Sequence, residues 1–223
     1  MHISISGTQS VGKTTLLNAL KNHPEFKDYK FVEEATRWIL PLGLPINEES
    51  TSLSQTLIMS RHLFNIYKFT DNDNVVADRH PLDCLVYSTR LYKTGKISEN
   101  DLKEFSNVVF NVLRSHSFDV IAYIPIEFDL VDDGVRSTDV QFRNEIDEYF
   151  KGILDAFHET FPEYYERSVV TLTGTVEERI EKLIKFKNNM VPKVAINAAP
   201  EPIVQLTDKK VRKPRTKKNV KKK

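Results

Sequence analysis

The sequence has a single cysteine, and it lacks any long apolar run. One cysteine, Cys84, cannot build a disulfide framework, and such sparse cysteine usage is typical of a reducing cytoplasm. Its neighbours Leu82, Leu85 and Val86 are apolar, so we interpret Cys84 as a small core residue and not as a nucleophile. No stretch approaches the roughly 18 apolar residues that span a bilayer, and the N-terminal residues read as a strand instead of a targeting peptide. We therefore expect a cytoplasmic protein without a membrane segment.

Charge is distributed unevenly along the chain. The 223 residues contain 32 Lys and Arg and 31 Asp and Glu, which gives a net charge of +1. From residue 189 onward, eleven basic residues face two acids, a charge of +9, so residues 1–188 carry −8. Four prolines and a Lys/Arg run leave the terminal segment too little apolar surface to fold alone. We predict one domain over residues 1–188 and a disordered basic tail over 189–223.

Short apolar runs alternate with amphipathic segments over residues 1–188. Strands that alternate with helices form parallel sheets covered on both faces, so the pattern predicts an α/β fold with a five-stranded, mostly parallel sheet. The predicted strands are 2–6, 31–33, 74–78, 118–125 and 168–172, and the predicted helices are 14–22, 38–40, 54–70, 82–94, 99–115, 140–160 and 176–187.

Residues 7–14 read GTQSVGKT and fit the pattern G-x-x-x-x-G-K-[ST] at each fixed position. The two glycines allow turns that a Cβ would hinder, so that backbone N–H groups converge on phosphates. Lys13 would bring a charge to the β- and γ-phosphates, and the Thr14 hydroxyl would bind Mg²⁺. The motif predicts a single P-loop domain with ATP and Mg²⁺ as cofactors. The predicted ATP-binding residues are Gly7, Thr8, Gln9, Ser10, Val11, Gly12, Lys13, Thr14 and Thr15.

A second Mg²⁺ ligand is expected at the end of a neighbouring strand. Asp78 ends the apolar run at 74–78 and fits that role. The alternative is that Asp78 caps the helix that begins near Pro81. Metal ligation by Thr14 and Asp78 is the interpretation that we carry forward.

Motifs of two other P-loop classes are missing. The chain has no N-K-x-D for guanine, which argues against a GTPase, and no sensor segments, which argues against a motor or helicase ATPase. It has instead Arg79 after the third strand, and Arg136 and Arg143 in and after a polar stretch. Arginines there could grip the acceptor and neutralise the transferring phosphoryl group, while a closing lid excludes water. This favours a kinase with a lid at about 129–145. The alternative for each arginine is a solvated surface charge.

Five motifs follow one another along the chain: the P-loop, EEATR at 33–37, Asp78-Arg79, VDDGVRS at 131–137 and GTVEER at 174–179. In these motifs and their order the chain resembles the thymidylate-kinase-like and nicotinamide-riboside-kinase-like group of P-loop kinases, which includes many phage proteins. The likeness covers about residues 1–187. It implies a catalytic set of Lys13, Arg79, Arg136, Arg143 and Glu34.

The resemblance also implies an acceptor site and an adenine site. Glu33 or Glu34 would face the acceptor hydroxyl, where a carboxylate can act as general base. The implied acceptor-binding residues are Glu33, Arg37, Gln55, Arg61 and Arg79. Gly174 and Arg179 would lie near the adenine, although Arg179 could instead pair with neighbouring glutamates.

The sequence leaves the identity of the phosphoryl acceptor open. Thymidylate kinases usually have an Arg beside the strand-two acid, whereas here Arg37 follows three or four residues later, and the lid is closer to the nicotinamide riboside kinase type. Our working hypothesis is a deoxynucleoside monophosphate kinase. The alternatives are a nucleoside or nicotinamide riboside kinase, a kinase of a hydroxymethylated base in DNA, and a non-catalytic nucleotide-binding regulator. The basic tail could bind the phosphates of nucleic acid, or it could bind the acidic body of the protein. A homodimer is one alternative for the oligomeric state.

Overall fold

A parallel sheet of five strands forms the centre of the protein. The computed structural model describes residues 1–115, 118–129 and 139–190. The strands are β1 (His2–Ser6), β2 (Lys30–Val32), β3 (Val75–Asp78), β4 (Val120–Tyr123) and β5 (Val169–Thr171). Their order is β2-β3-β1-β4-β5, and each neighbouring pair is parallel. The predicted α/β fold and five-stranded sheet are confirmed, with the last two strands shorter than predicted. Most of the predicted lid (130–138, with Arg136) and the tail from residue 191 lie outside the described residues.

Helices cover both faces of the sheet. They are α1 (Lys13–Lys21), α2 (Thr36–Ile39), α3 (Ser52–Tyr67), α4 (Pro81–Lys93), α5 (Glu99–Arg114), α6 (Val140–Thr160), α7 (Pro162–Ser168) and α8 (Val176–Asn188), with short 3₁₀ turns at 24–26, 40–42 and 47–49. The sequence pattern missed α7, because seven residues are too few to show a helical period. Pro162 at its first position starts it. Within the described ranges, no helix has the length and apolarity that a bilayer crossing requires.

Alternate residues along the strands point into two separate cores. On one face, Ile3 and Ile5 pack with apolar side chains of α1 and α8. On the other face, Val75 and Ala77 pack with those of α3 to α7. Because the strands are parallel, β1 and β3 end at the same edge of the sheet, with Ile5 opposite Asp78. This edge is where open α/β sheets bind ligands.

Candidate active site

The P-loop joins β1 to α1 and is shaped by two glycines. Gly7 and Gly12 have φ values of +143° and +88°, which side chains rarely adopt. A Cβ on Gly7 would lie 2.5 Å from the carbonyl oxygen of Ile124. Lys13 is buried, and its Nζ donates to the carbonyl oxygens of Gly7 at 2.9 Å and Thr8 at 2.5 Å. Thr15 is exposed in the first turn of α1. The loop therefore encloses a cation at the positive end of a helix, as an anion site requires.

The surroundings of Lys13 disfavour the charged form of its side chain. Burial, followed by the charge of the nearby Arg79, lowers its pKa from 10.5 to about 7, against the opposite effect of Asp78. An anion in the loop would offset both effects. The residues of the P-loop thus fit a nucleotide's phosphates by backbone shape and by charge.

Thr14 and Asp78 line the same cleft, a cavity of about 270 Å³ that Glu33, Glu34 and Arg37 also line. The Oδ1 atom of Asp78 has no hydrogen-bond partner, and burial, followed by Glu34, raises the pKa of this carboxyl. A carboxylate and a hydroxyl that line one cleft suit Mg²⁺. Among the residues that the structure describes, no group of three His, Cys, Asp or Glu could hold a metal alone. Phosphate oxygens and water would complete the coordination.

The alternative role for Asp78, capping α4, is wrong. His80 is the N-cap, and its Nδ1 accepts the N–H of Leu82 at 2.9 Å. The side chain of Asp83 completes this cap by accepting the backbone N–H of His80 at 3.2 Å. Asp78 is thereby left to face the cleft.

Arg79 connects the end of β2, the start of α4 and the P-loop. Its Nε donates to Glu34 at 2.5 Å, and its Nη1 donates to Asp83 at 3.0 Å and to the carbonyl oxygen of Gly7 at 3.4 Å. Burial alone would lower the pKa of Arg79, but Glu34, Tyr87 and Asp83 raise it well above its usual value. Its φ of +79° is strained for a residue with a long side chain. Such strain persists where the surroundings enforce it, often at functional sites.

The sequence pattern missed Asp83. Its Oδ2 accepts the hydroxyl of Ser6 at 2.7 Å, while Oδ1 binds Arg79. One signal was available, because Asp83 follows Arg79 by four residues on a helix and follows His80 by three, the spacing of a capping box. A single carboxylate thus caps α4 and holds Arg79.

A smaller cavity of about 40 Å³ adjoins Arg79 on the other side of Glu34. Glu34, Gln55, His62, Arg79 and Tyr87 are among its lining residues, so the structure brings together three of the predicted acceptor and catalytic residues. Gln55 is buried and donates to the Ser50 hydroxyl at 2.8 Å. Arg37 and Glu33 line the larger cleft instead.

Arg61 lies apart from the other predicted acceptor residues. Its guanidinium lies over the rings of Trp38 and Phe64, 5.5 and 5.2 Å from their centres, and it lines neither cavity. We therefore interpret Arg61 as a cation that stacks on two exposed aromatic side chains.

Two arginines from helices outside the P-loop donate hydrogen bonds to its backbone carbonyl groups. Arg143, on α6, donates from Nε to the carbonyl oxygen of Gln9 at 3.2 Å and from Nη2 to that of Ser10 at 2.9 Å. Arg179, on α8, donates from Nη1 to the carbonyl oxygen of Val11 at 2.9 Å. Three consecutive carbonyl groups of the loop thus accept hydrogen bonds from two buried arginines, one on α6 and one on α8, which cover opposite faces of the sheet.

Glu127 is a second residue that the sequence pattern missed. Its carboxylate accepts Nη2 of Arg179 at 2.7 Å and the backbone N–H of Gly174 at 3.0 Å. The alternative that Arg179 pairs with neighbouring glutamates is therefore wrong, since its carboxylate partner lies 52 residues away in the chain. Gly174, with φ of +89°, is thus linked to the P-loop through Glu127 and Arg179.

The family follows from a match that spans most of the chain. The model of a family described as AAA domain matches residues 2–179, which contain the P-loop, Asp78, Arg79 and Arg179. The chain belongs to the AAA domain family. None of the curated proteins matches it in sequence.

Solved structures of other proteins share the fold of this AAA domain. The NadR protein in complex with NR has a TM-score of 0.63 at 17% identity, over 87% of this chain and 54% of that one. NadR with NAD and AMP-PNP gives 0.62 at 16%, over 87% and 51%. Deoxyadenosine kinase from M. mycoides, with the products dCMP and a flexible dCDP, gives 0.57 at 12%, over 85% and 100%. The chain spans about half the length of the NadR chains, and at these identities the likeness concerns the fold.

In this AAA domain, an Arg179→Met variant is expected to bind AMP-PNP about tenfold more weakly. The substitution removes a charge-assisted hydrogen bond to the P-loop backbone, a contact of about 1.5–3 kcal/mol, so that the loop no longer keeps one shape. Calorimetry measures the affinity, and Lys182→Met, at an exposed position of the same helix, is the matched control. Equal affinity in both variants would contradict a positioning role for Arg179.

Proposed function

We propose that the chain is an ATP-dependent kinase that transfers the γ-phosphoryl group to a hydroxyl of a nucleoside. The observation that carries this proposal is the place of Glu34, which lines both cavities. One cavity contains Thr14 and Asp78, the proposed metal ligands, and the other contains Gln55 and Tyr87. A carboxylate between a metal site and a polar pocket is well placed to accept the proton of an attacking hydroxyl.

The charge around Arg79 favours a nucleoside over a nucleoside monophosphate. Glu34 and Asp83 already balance the guanidinium, so little positive charge is left for an acceptor phosphate. The solved structures support the same choice, because one is a deoxyadenosine kinase and another holds NR. We therefore prefer the nucleoside alternative to our working hypothesis of a monophosphate acceptor.

In the proposed mechanism, the amides of the P-loop and Lys13 bind the β- and γ-phosphates of ATP. Thr14 and Asp78 would hold Mg²⁺, which supplies neutralisation of the phosphate charge when bound. The acceptor hydroxyl gives its proton to Glu34 as its oxygen bonds to the γ-phosphorus, and the bond from that phosphorus to the bridging oxygen breaks to release ADP. Arg79 positions Glu34, and Arg143 and Arg179 position the loop. Catalysis then rests on orientation and electrostatics.

The remaining assignments of the proposal come from sequence. We assign residues 1–188 to the kinase domain, 129–145 with Arg136 to a lid, and 189–223 to a basic tail that could bind nucleic acid. Glu33 and Arg37 would contact the acceptor from the larger cleft, and Gly174 would lie near the adenine. Deleting residues 189–223 should leave transfer to a nucleoside unchanged, since the residues proposed for ATP and for the acceptor all lie within residues 1–188.

A Glu34→Gln variant is expected to lower kcat by about 10²–10⁴-fold, the usual worth of a general base. KM for ATP should change much less, because the P-loop is intact. The assay follows transfer from γ-labelled ATP to nucleosides, nucleoside monophosphates, nicotinamide riboside and hydroxymethylated DNA, and we expect a nucleoside to be the acceptor.

Glu33→Gln decides between the two adjacent acids, because the side chain of Glu33 is exposed whereas that of Glu34 is paired with Arg79. A larger loss at Glu33 would reassign the base. Transfer to monophosphates alone would overturn the nucleoside assignment, and ATP binding without transfer to any acceptor would favour the regulatory alternative.

A further inference from the structure

A small internal cavity lies between β3 and α3, behind the proposed metal site. Its volume is about 10 Å³, and its lining includes His62 and Asn65 of α3, Asp78 at the end of β3, and the apolar side chains of Ile66 and Phe118. A space of this size holds about one water molecule. His62 and Arg79 also line the cavity of about 40 Å³ described above, so both residues border the two spaces.

Three polar atoms of these lining residues have no hydrogen-bond partner. They are Nε2 of His62, Oδ1 of Asn65 and Oδ1 of Asp78. His62 and Asn65 are only 4% and 6% exposed, so bulk water does not hydrogen-bond to these atoms. An unsatisfied buried polar group costs about 1–3 kcal/mol, and native structures rarely leave three together. The other polar lining residues, His2 and Arg79, already make hydrogen bonds of their own.

The donors and acceptors of the three atoms match those of a single water molecule. Burial, followed by the charge of Arg79, lowers the pKa of His62 to about 3, so its ring is neutral and carries one N–H donor. The oxygens of Asn65 and Asp78 are acceptors. With the ring proton on Nε2, His62 donates one hydrogen bond to a water molecule, which in turn donates one to each oxygen and so satisfies all three atoms at once.

We propose that a buried water molecule occupies this cavity and that, through it, His62 and Asn65 position the carboxylate of Asp78 toward the metal. Held by the water at Oδ1, the carboxylate keeps its other oxygen directed to the cleft. Outer partners of this kind commonly set the orientation of a metal ligand. The positioning role rests on the function proposed above, whereas the water site itself does not.

The water site is tested by a high-resolution crystal structure of the unaltered protein. We expect a water oxygen at about 2.7–3.2 Å from all three atoms. An empty cavity, or rotation of Asn65 to bond Asp78 directly, would overturn the proposal.

The positioning role is tested with Asn65→Leu, which removes one water ligand at nearly constant volume. Titration of Mg²⁺ into the AMP-PNP complex by calorimetry should give about tenfold weaker metal binding, with AMP-PNP affinity without Mg²⁺ unchanged. Ile66→Val, a packing change at the same cavity, is the matched control and should lower Tm without changing Mg²⁺ affinity. If both variants bind Mg²⁺ like the unaltered protein, Asn65 has only a structural role.

These measurements are separate from catalysis. If no acceptor were phosphorylated, the kinase proposal would fail, while the crystal structure and the Mg²⁺ titration would still decide on the water and on Asn65.

Discussion

A Lys13→Met variant is expected to lose about 10²–10³-fold in kcat and yet to unfold at a higher temperature than the unaltered protein when no nucleotide is bound. The loss of rate follows because Lys13 would stabilise the charge that develops on the transferring phosphoryl group, and one such donor is typically worth that factor. The gain in stability follows from the cost of burying the ammonium group, which Met does not carry.

The sign of the stability effect follows from the linkage between proton binding and folding. Folding lowers the pKa of Lys13 from 10.5 to about 7, so the unfolded chain binds the proton more tightly than the folded one. The penalty is fully present below pH 7 and fades as the pH rises from about 7 to 10.5. Loss of the hydrogen bonds to Gly7 and Thr8 offsets part of the gain. We expect a net gain of about 1–2 kcal/mol at pH 7, or roughly 2–8 °C in Tm.

Calorimetric unfolding at pH 7 and at pH 9.5 measures this effect, and the difference between variant and unaltered protein should shrink at the higher pH. Lys27→Met, which removes an exposed charge, is the control and should change Tm little at either pH. A Tm for Lys13→Met below that of the unaltered protein would show that the loop carbonyls fully compensate the charge. The expected result would mean that the P-loop gives up stability for phosphate binding, as functional sites often do.

The parts of the fold that sequence predicts are those with a local signal. Alternating apolar runs located the five strands, and the motif at 7–14 located the turn between β1 and α1. The C-terminal end of an apolar run placed Asp78 at the sheet edge. Short elements such as α7 have no period to detect, and strand ends depend on which neighbours pair with them.

The contacts of the site depend instead on residues far apart in the chain. Arg143 reaches the carbonyl oxygen of Ser10 across 133 positions, and Arg179 reaches Glu127 across 52. No local pattern distinguishes these arginines from Arg61, which stacks on two exposed rings. Residue type and position beside a motif therefore did not show which arginines bind the P-loop. The packing of α6 and α8 against the loop shows it.

An Arg79→Ala variant is expected to be less stable by about 3–5 kcal/mol at pH 7, the usual cost of removing one partner from a buried ion pair. Glu34 and Asp83 would both lose their cation, and burial already raises the pKa of Asp83 against the effect of Arg79. A loss of this size lowers Tm by roughly 6–20 °C in a domain of this length. Thermal unfolding measures it, with AMP-PNP binding as a check that the P-loop is still formed.

Arg79→Gly and the pH dependence separate the charge from the backbone strain. Glycine relieves the cost of φ near +79°, so this variant should be about 1 kcal/mol more stable than Arg79→Ala, although both lack the guanidinium. Without that cation the pKa of Asp83 rises further, so the folded state of either variant binds protons more readily than the unfolded chain. Their deficit should therefore be smaller at pH 5 than at pH 7. A deficit that is equal at both pH values would assign the loss to packing, and the two carboxylates would then not depend on Arg79 for their charge.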